Sequence, residues 1–176
     1  MVLVLSDVMD SEKLLSIDFE ISSTCQAVCP VCSRTTDGKL QEFKQVTKTL
    51  SEVQTILGDL VPQLQMMTFC GNYGDTMACT EIVEICQWLL SENPKLRIDI
   101  ATNGGIGKSE AYAGLGKLGV NIVFGLDGTD EKTNQLYRVN VKWKNVMDNL
   151  SAYSETSVAE HSSWQFLLFN ENKNHL

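Results

Sequence analysis

The sequence predicts an α/β fold built on a parallel sheet. Three observations predict it: short runs in which apolar and polar residues alternate, longer runs with apolar residues at helical spacing, and regular alternation of the two kinds along the chain. Leu14 to Ile21 (LLSIDFEI) alternates over much of its length and stops at Ser22, the pattern of a half-buried strand. Thr49 to Leu64 then places Leu50, Val53, Ile56, Leu57, Leu60 and Leu64 at helical spacing, with Ser51 as the expected N-cap. Gln65 to Cys70 is a second strand stopped by Gly71, and Thr80 to Glu92 a second helix carried by Ile82, Val83, Ile85, Cys86, Leu89 and Leu90. Leu96 to Ala101 alternates and is closed by Asn103, Gly104 and Gly105, and Ser109 to Leu118 is a shorter helix ending at Gly119. Asn121 to Leu126, Trp143 to Tyr153 and Trp164 to Phe169 complete the series as strand, helix and strand. This order demands crossover connections, hence parallel strands covered by helices. In such sheets and barrels the chemistry gathers at the carboxyl ends of the strands.

Composition narrows the class. The chain has 176 residues, 43% apolar and only three prolines, which suits one domain spanning 1–176 with a substantial core. No run is long and apolar enough to span a bilayer, and Met1 to Leu5 is too short and uncharged for a secretory signal, so no membrane partner and a cytoplasmic location are expected. The net charge of -8 speaks against nucleic acid, whose affinity comes from clustered Lys and Arg. Lys132, Arg138, Lys142 and Lys144 form a local basic group, read chiefly as a solvated face and secondarily as a device to steer an anionic substrate.

In that setting thiols stay reduced, so the six cysteines need a role other than disulfides. Cys25, Cys29 and Cys32 (CQAVCPVC) directly follow the first strand. Thiolates are soft ligands suited to zinc or to iron–sulfur clusters, and one compact loop can aim three of them at three corners of a cube. Closed zinc sites want four ligands, and the two histidines, His161 and His175, are far along the chain, so an iron–sulfur cluster is the favoured occupant.

The Cys-x3-Cys-x2-Cys loop resembles the hallmark of the radical S-adenosylmethionine (SAM) superfamily. The resemblance implies a partial, open parallel β/α barrel and a 4Fe–4S cluster on Cys25, Cys29 and Cys32, whose free iron chelates SAM. An electron from an external donor then cleaves SAM to a 5′-deoxyadenosyl radical that abstracts hydrogen from the substrate. Other strand ends fit the same family. Val31 holds the hydrophobic position placed near the adenine, without the usual aromatic. Gly71-Asn72-Tyr73-Gly74-Asp75-Thr76 resembles the Gly-Gly-Glu-Pro motif, so Tyr73, Gly74 and Asp75 are implied around the SAM ammonium, with Thr76 in place of proline. Thr102-Asn103-Gly104 matches a recurrent Thr-Asn-Gly that lines the SAM pocket. Gly125-Leu126-Asp127-Gly128 resembles the Ser-x-Asp-Gly of peptide-modifying members, with glycine for serine, so only Asp127 carries over. Asn170 and Asn172 resemble the polar end of the last strand.

The resemblance covers Leu14 to Asn172 and implies a substrate that is a peptide or protein side chain. The family core has six strand–helix units, whereas five strands are visible here. Either the member is minimal or truncated, or a partner or the substrate covers the open edge. Two other functions stay open: sulfur insertion of the methylthiotransferase kind with a second cluster on Cys70, Cys79 and Cys86, and a non-catalytic module that binds a cluster or zinc for interaction. As a plain alternative, the last three cysteines are buried core residues. Gly107-Lys108-Ser109 and Gly114-x-Gly116-x-x-Gly119 mimic nucleotide loops in letters only, because neither has the required spacing or strand-to-helix setting.

Overall fold

The computed structural model describes residues 15–37, 39–170 and 172–173. Leu14, Met1 to Leu5 and His175 lie outside the described residues. Five parallel strands form one sheet: β1 (Leu15–Phe19), β4 (Leu64–Phe69), β5 (Arg97–Thr102), β6 (Asn121–Gly125) and β7 (Ser163–Gln165), adjacent in that order. The remaining pair, β2 (Thr35–Thr36) and β3 (Lys39–Leu40), is a small antiparallel hairpin after the cysteine loop. Helices α1 (Leu50–Leu57), α2 (Ile82–Glu92), α3 (Ser109–Lys117), α4 (Glu131–Asn134) and α5 (Trp143–Ser154) lie in the crossovers. This is the parallel α/β arrangement the alternating pattern implies, and it is open and partial as the resemblance implies. Among the described residues no helix is long and apolar enough to cross a membrane.

The core follows the two periodicities. Ile17 and Phe19, Met67 and Phe69, Ile98 and Ile100, and Ile122 and Phe124 recur at every second position and are buried. Val53, Leu57, Ile82, Ile85, Leu89, Tyr112, Leu115 and Val146 meet them from the helices. Phe19 and Phe69 pack edge to face with centroids 6.2 Å apart. Register aligns the strand ends, Phe19 opposite Phe69, Phe69 opposite Ile100 and Thr102 opposite Phe124. The loops that follow β1, β4, β5 and β6 therefore emerge at one end of the sheet.

Three expectations about elements need correction. The first helix is capped by Thr49, not Ser51: Glu52 N donates to Thr49 Oγ1 while Glu52 Oε2 accepts from Thr49 N at 2.9 Å, a reciprocal capping box. It also ends at Leu57, where Leu60 N donates back to Leu57 O in a tighter i+3 turn; the apolar run continues as a single 3-10 turn over Val61–Gln63, with Pro62 in its first positions. The last strand spans Ser163–Gln165 instead of Trp164 to Phe169. Beyond it side chains take the backbone groups: Leu167 N donates to Asp127 Oδ1, and Asn172 Nδ2 donates to Leu167 O.

Candidate functional site

The loop after β1 is shaped by short-range bonds. Cys32 N donates to Cys29 O at 3.1 Å and Thr35 N to Cys32 O at 2.8 Å, a pair of turns whose first corner is Pro30, with its preset φ. Val28 N donates to Val139 O and Asp75 N to Thr24 O, which ties the loop to the segments after β6 and β4. Cys25, Cys29 and Cys32 consequently line a single cavity of about 320 Å³. Among the described residues no three His, Cys, Asp or Glu side chains converge closely enough to hold one metal ion. The three thiols are instead spread around a shared space.

The loop after β4 forms the next wall. Glu20 accepts from Tyr73 N and Gly74 N, at 2.5 and 3.2 Å. A side chain at Gly74 would run into the carbonyl of Ser22, so this close approach of two loops requires glycine. Asp75 is buried and accepts four hydrogen bonds, from Thr102 Oγ1, Asn103 N, Asn103 Nδ2 and Met77 N. Burial raises its carboxyl pKa, and the bonds from Asn103, Thr102 and Met77 oppose that rise. Asp75 is thus the joint between two strand ends.

Asn103 reaches the cysteine loop. Its Nδ2 lies 3.5 Å from Cys25 Sγ, and its Oδ1 accepts from Gln26 Nε2 at 2.9 Å. Cys25 has its thiol pKa pushed up to about 11, chiefly by desolvation and next by Asp75. Burial also raises Cys29, against the pull of the Arg138 guanidinium.

Tyr73, Gly74, Asp75, Thr102 and Asn103 all line the cavity beside the thiols. Two expected residues do not. Val31 is 73% exposed and faces a separate apolar slot with Pro30, Leu136, Tyr137 and Phe169. Asp127 is fully buried behind the cavity: Oδ1 accepts from Leu167 N, and Oδ2 stands 2.6 Å from Arg138 Nε. That ion pair is close but poorly angled, since neither atom has a well-formed hydrogen bond. Of the two terminal asparagines, Asn172 is buried on the backbone of Asp127 and Leu167, and Asn170 is exposed.

The cavity also holds residues the sequence reading passed over. Arg138, read as part of a solvated basic face, turns inward to line it, whereas Lys144 pairs outside with Asp148 at 2.5 Å. Arg34 lines it as well, only 2% exposed, donating to Cys25 O at 3.0 Å and Ala27 O at 3.3 Å. An arginine two residues beyond the last cysteine was the available signal. Cys79 and Cys86 are buried in the core, Cys70 is half-buried near Asp18 and Glu20, and none of the three lines the cavity. His161 sits at the opposite end of the sheet, its amide on Asn121 Oδ1.

Residues 19–176 match the family model described as the Radical SAM superfamily. The chain belongs to that superfamily. Solved structures of three proteins show the same fold. The structure titled native anSMEcpe with bound AdoMet has a TM-score of 0.62 at 16% identity, covering 86% of this chain and 43% of that one. A second structure of that protein carries a Cp18Cys peptide as well. Streptococcus suis SuiB bound to S-adenosylmethionine has a TM-score of 0.61 at 18% identity, over 82% and 31% of the two chains. The radical SAM methyltransferase TsrM from Kitasatospora setae, with cobalamin and a [4Fe-4S] cluster bound, has a TM-score of 0.56 at 11% identity, over 84% and 28%. The chain spans less than half the length of these structures. No curated protein gives a significant match.

The residues present fit the group this family implies. Among the described residues the donors are three sulfurs with no imidazole lining the cavity, and the buried Arg34 has no ion-pair partner while its Nε is unbonded. A neutral thiol loop would leave that cation uncompensated, whereas a cluster on three thiolates is anionic.

Proposed function

We propose that the chain is a radical SAM enzyme whose cluster is held by Cys25, Cys29 and Cys32. The observation that carries this reading is that three thiols, the Asp75–Asn103 joint and two guanidinium groups all line one cavity at the carboxyl ends of parallel strands. When bound, the cluster and SAM supply a 5′-deoxyadenosyl radical for hydrogen abstraction, using an electron from an external donor.

The chain's own residues bind and orient. The Cys29–Cys32 turn and the bond from Val28 N to Val139 O fix the loop against the strand ends. The loop from Gly71 to Gly74 lines the wall on which the SAM ammonium would be received, and Tyr73 closes that wall by packing edge to face on Phe43. Thr102 and Asn103 are held by Asp75 on the facing wall, and Arg138, held by Asp127, supplies positive charge. Charge from Asp75 itself reaches the cofactor through this frame, because its oxygens are already engaged. The peptide seen in the related structure makes a peptide or protein side chain the favoured substrate class.

Anaerobic loading of the full chain with iron and sulfide is the test. The expected result is a brown protein with the electron paramagnetic resonance signal of a reduced 4Fe–4S cluster, perturbed by SAM, and release of 5′-deoxyadenosine under reductant. Colourless protein after loading, or tetrahedral zinc as the bound metal, overturns the reading.

A further inference from the structure

We propose that Arg34 and Asn103 act on Cys25 as positioning residues that raise the reduction potential of the cluster held by this loop. The inference rests on the functional reading above and concerns how readily that site takes its electron.

Arg34 is a cation in an unusual place. Its Nη2 and Nη1 donate to the carbonyls of Cys25 and Ala27, its guanidinium stands 5.8 Å from the centroid of the Phe43 ring, and its Nε has no partner. Among the described residues no carboxylate pairs with it. An arginine so buried is normally balanced by an anion, because taking a lone charge out of water is costly. The anion on offer is the cluster with its three thiolates, whose negative charge deepens on reduction. A fixed positive charge beside it stabilises the reduced state more than the oxidised one.

Asn103 adds a bond to the same corner. Its amide cannot be turned round: Oδ1 accepts from Gln26 Nε2 and Gly105 N, both at 2.9 Å, and Nδ2 donates to Asp75 Oδ2 at 2.7 Å. The Nδ2 group is thereby presented to Cys25 Sγ at 3.5 Å. Donation to a ligand sulfur draws electron density from the cluster and favours the added electron. Asp75 lies near and its charge opposes this effect, but four donors already share it. Cys29 meets a different donor, the Arg138 guanidinium, which is unchanged in these variants, so the Asn103 amide acts at the Cys25 corner.

The experiment is a reductive titration of the loaded full chain without SAM, against a low-potential one-electron donor, comparing the wild-type protein with Arg34→Gln, Arg34→Lys and Asn103→Ala. The expected result is a more negative midpoint for Arg34→Gln and Asn103→Ala, so that at a fixed applied potential the ratio of reduced to oxidised cluster falls roughly tenfold, the scale of a lost hydrogen bond to a charged group. Arg34→Lys keeps the charge and should stay near the wild-type midpoint, which a purely structural role would not produce. Unshifted midpoints in fully loaded Arg34→Gln and Asn103→Ala overturn the inference. If Arg34→Gln fails to load, the Asn103→Ala midpoint decides by the same criterion. A wild-type chain that builds no 4Fe–4S cluster overturns the functional reading, and this inference with it.

Discussion

Gly125 stands where peptide-modifying relatives are expected to carry serine, and the structure gives a steric reason for the glycine. A Cβ at that position would stand 2.7 Å from Arg138 Nη2 and 3.3 Å from its Cζ. The space is therefore taken by a guanidinium that pairs with the buried Asp127. Gly125→Ser must push Arg138 away and is expected to destabilise by about 1–3 kcal/mol, the usual cost of overpacking. Arg138→Ala leaves Asp127 uncompensated and is expected to cost about 3–5 kcal/mol. In the double variant the serine finds the space free, so urea denaturation of the four proteins should give a cost below the sum of the two; strict additivity would refute the coupling. Asp75 obeys the same logic at another wall. Asp75→Ala removes the acceptor of four donors and leaves buried N–H and O–H groups unmet, for an expected loss of about 3 kcal/mol in the same assay. Asp75→Ala should also weaken SAM binding through Asn103, measurable by calorimetry on loaded protein.

At the level of elements, α1 depends on its cap. Thr49→Ala removes half of the capping box and is expected to cost about 1 kcal/mol. Glu52, the other half, is held at a pKa of about 2 by the Thr49 amide, then by the Lys48 ammonium and the Thr49 hydroxyl. Its folded value lies below the ordinary 4.5, so its contribution is complete above about pH 4.5 and is lost as the pH falls toward 2. The denaturation midpoint should drop through that window, and Glu52→Gln should remove this part of the drop; an unchanged slope would sink the assignment. The cap also shows what sequence makes legible. Apolar spacing located α2, α3 and α5, the start of α1, and strands β1, β4, β5 and β6 to within about two residues, because those faces are buried and burial sets the period. Ser51 was the expected cap, and the reciprocal bonds between Thr49 and Glu52 give that role to Thr49 instead. The hairpin β2–β3 and the four-residue α4 are too short to show a period. The cysteine triad was visible as a spacing, and Tyr73, Gly74, Asp75, Thr102 and Asn103 as strand-end strings. Arg34 was signalled only by its place two residues beyond the last cysteine, and Arg138 not at all, because an inward-turning arginine differs from a surface one only in where the chain places it.

The molecule as a whole is a graded sheet. β5 lies between β4 and β6, with Ile98, Asp99, Ile100 and Thr102 buried, whereas β7 joins β6 through three residue pairs and all three of its residues are exposed. Its outer edge has no strand partner among the described residues, and Trp164 and Leu168 stand exposed beside it. An edge strand of this kind opens without disturbing the core, since few buried apolar contacts hold it. The cavity lined by the three thiols straddles the gradient: Thr102 and Asn103 belong to the firm centre, while Gln165 of β7 lines the opposite side. Local opening of β7 therefore loosens one wall of the site and leaves the thiol loop and the Asp75 joint in place. Native-state hydrogen exchange should read this directly. Amides of β4 and β5 are expected to exchange only by global unfolding, with urea-dependent rates, whereas those of β7 exchange by local opening at rates insensitive to low urea. Equal protection of β7 and β5 would mean that something beyond the described contacts covers the edge, and that the wall carrying Gln165 is as rigid as the centre.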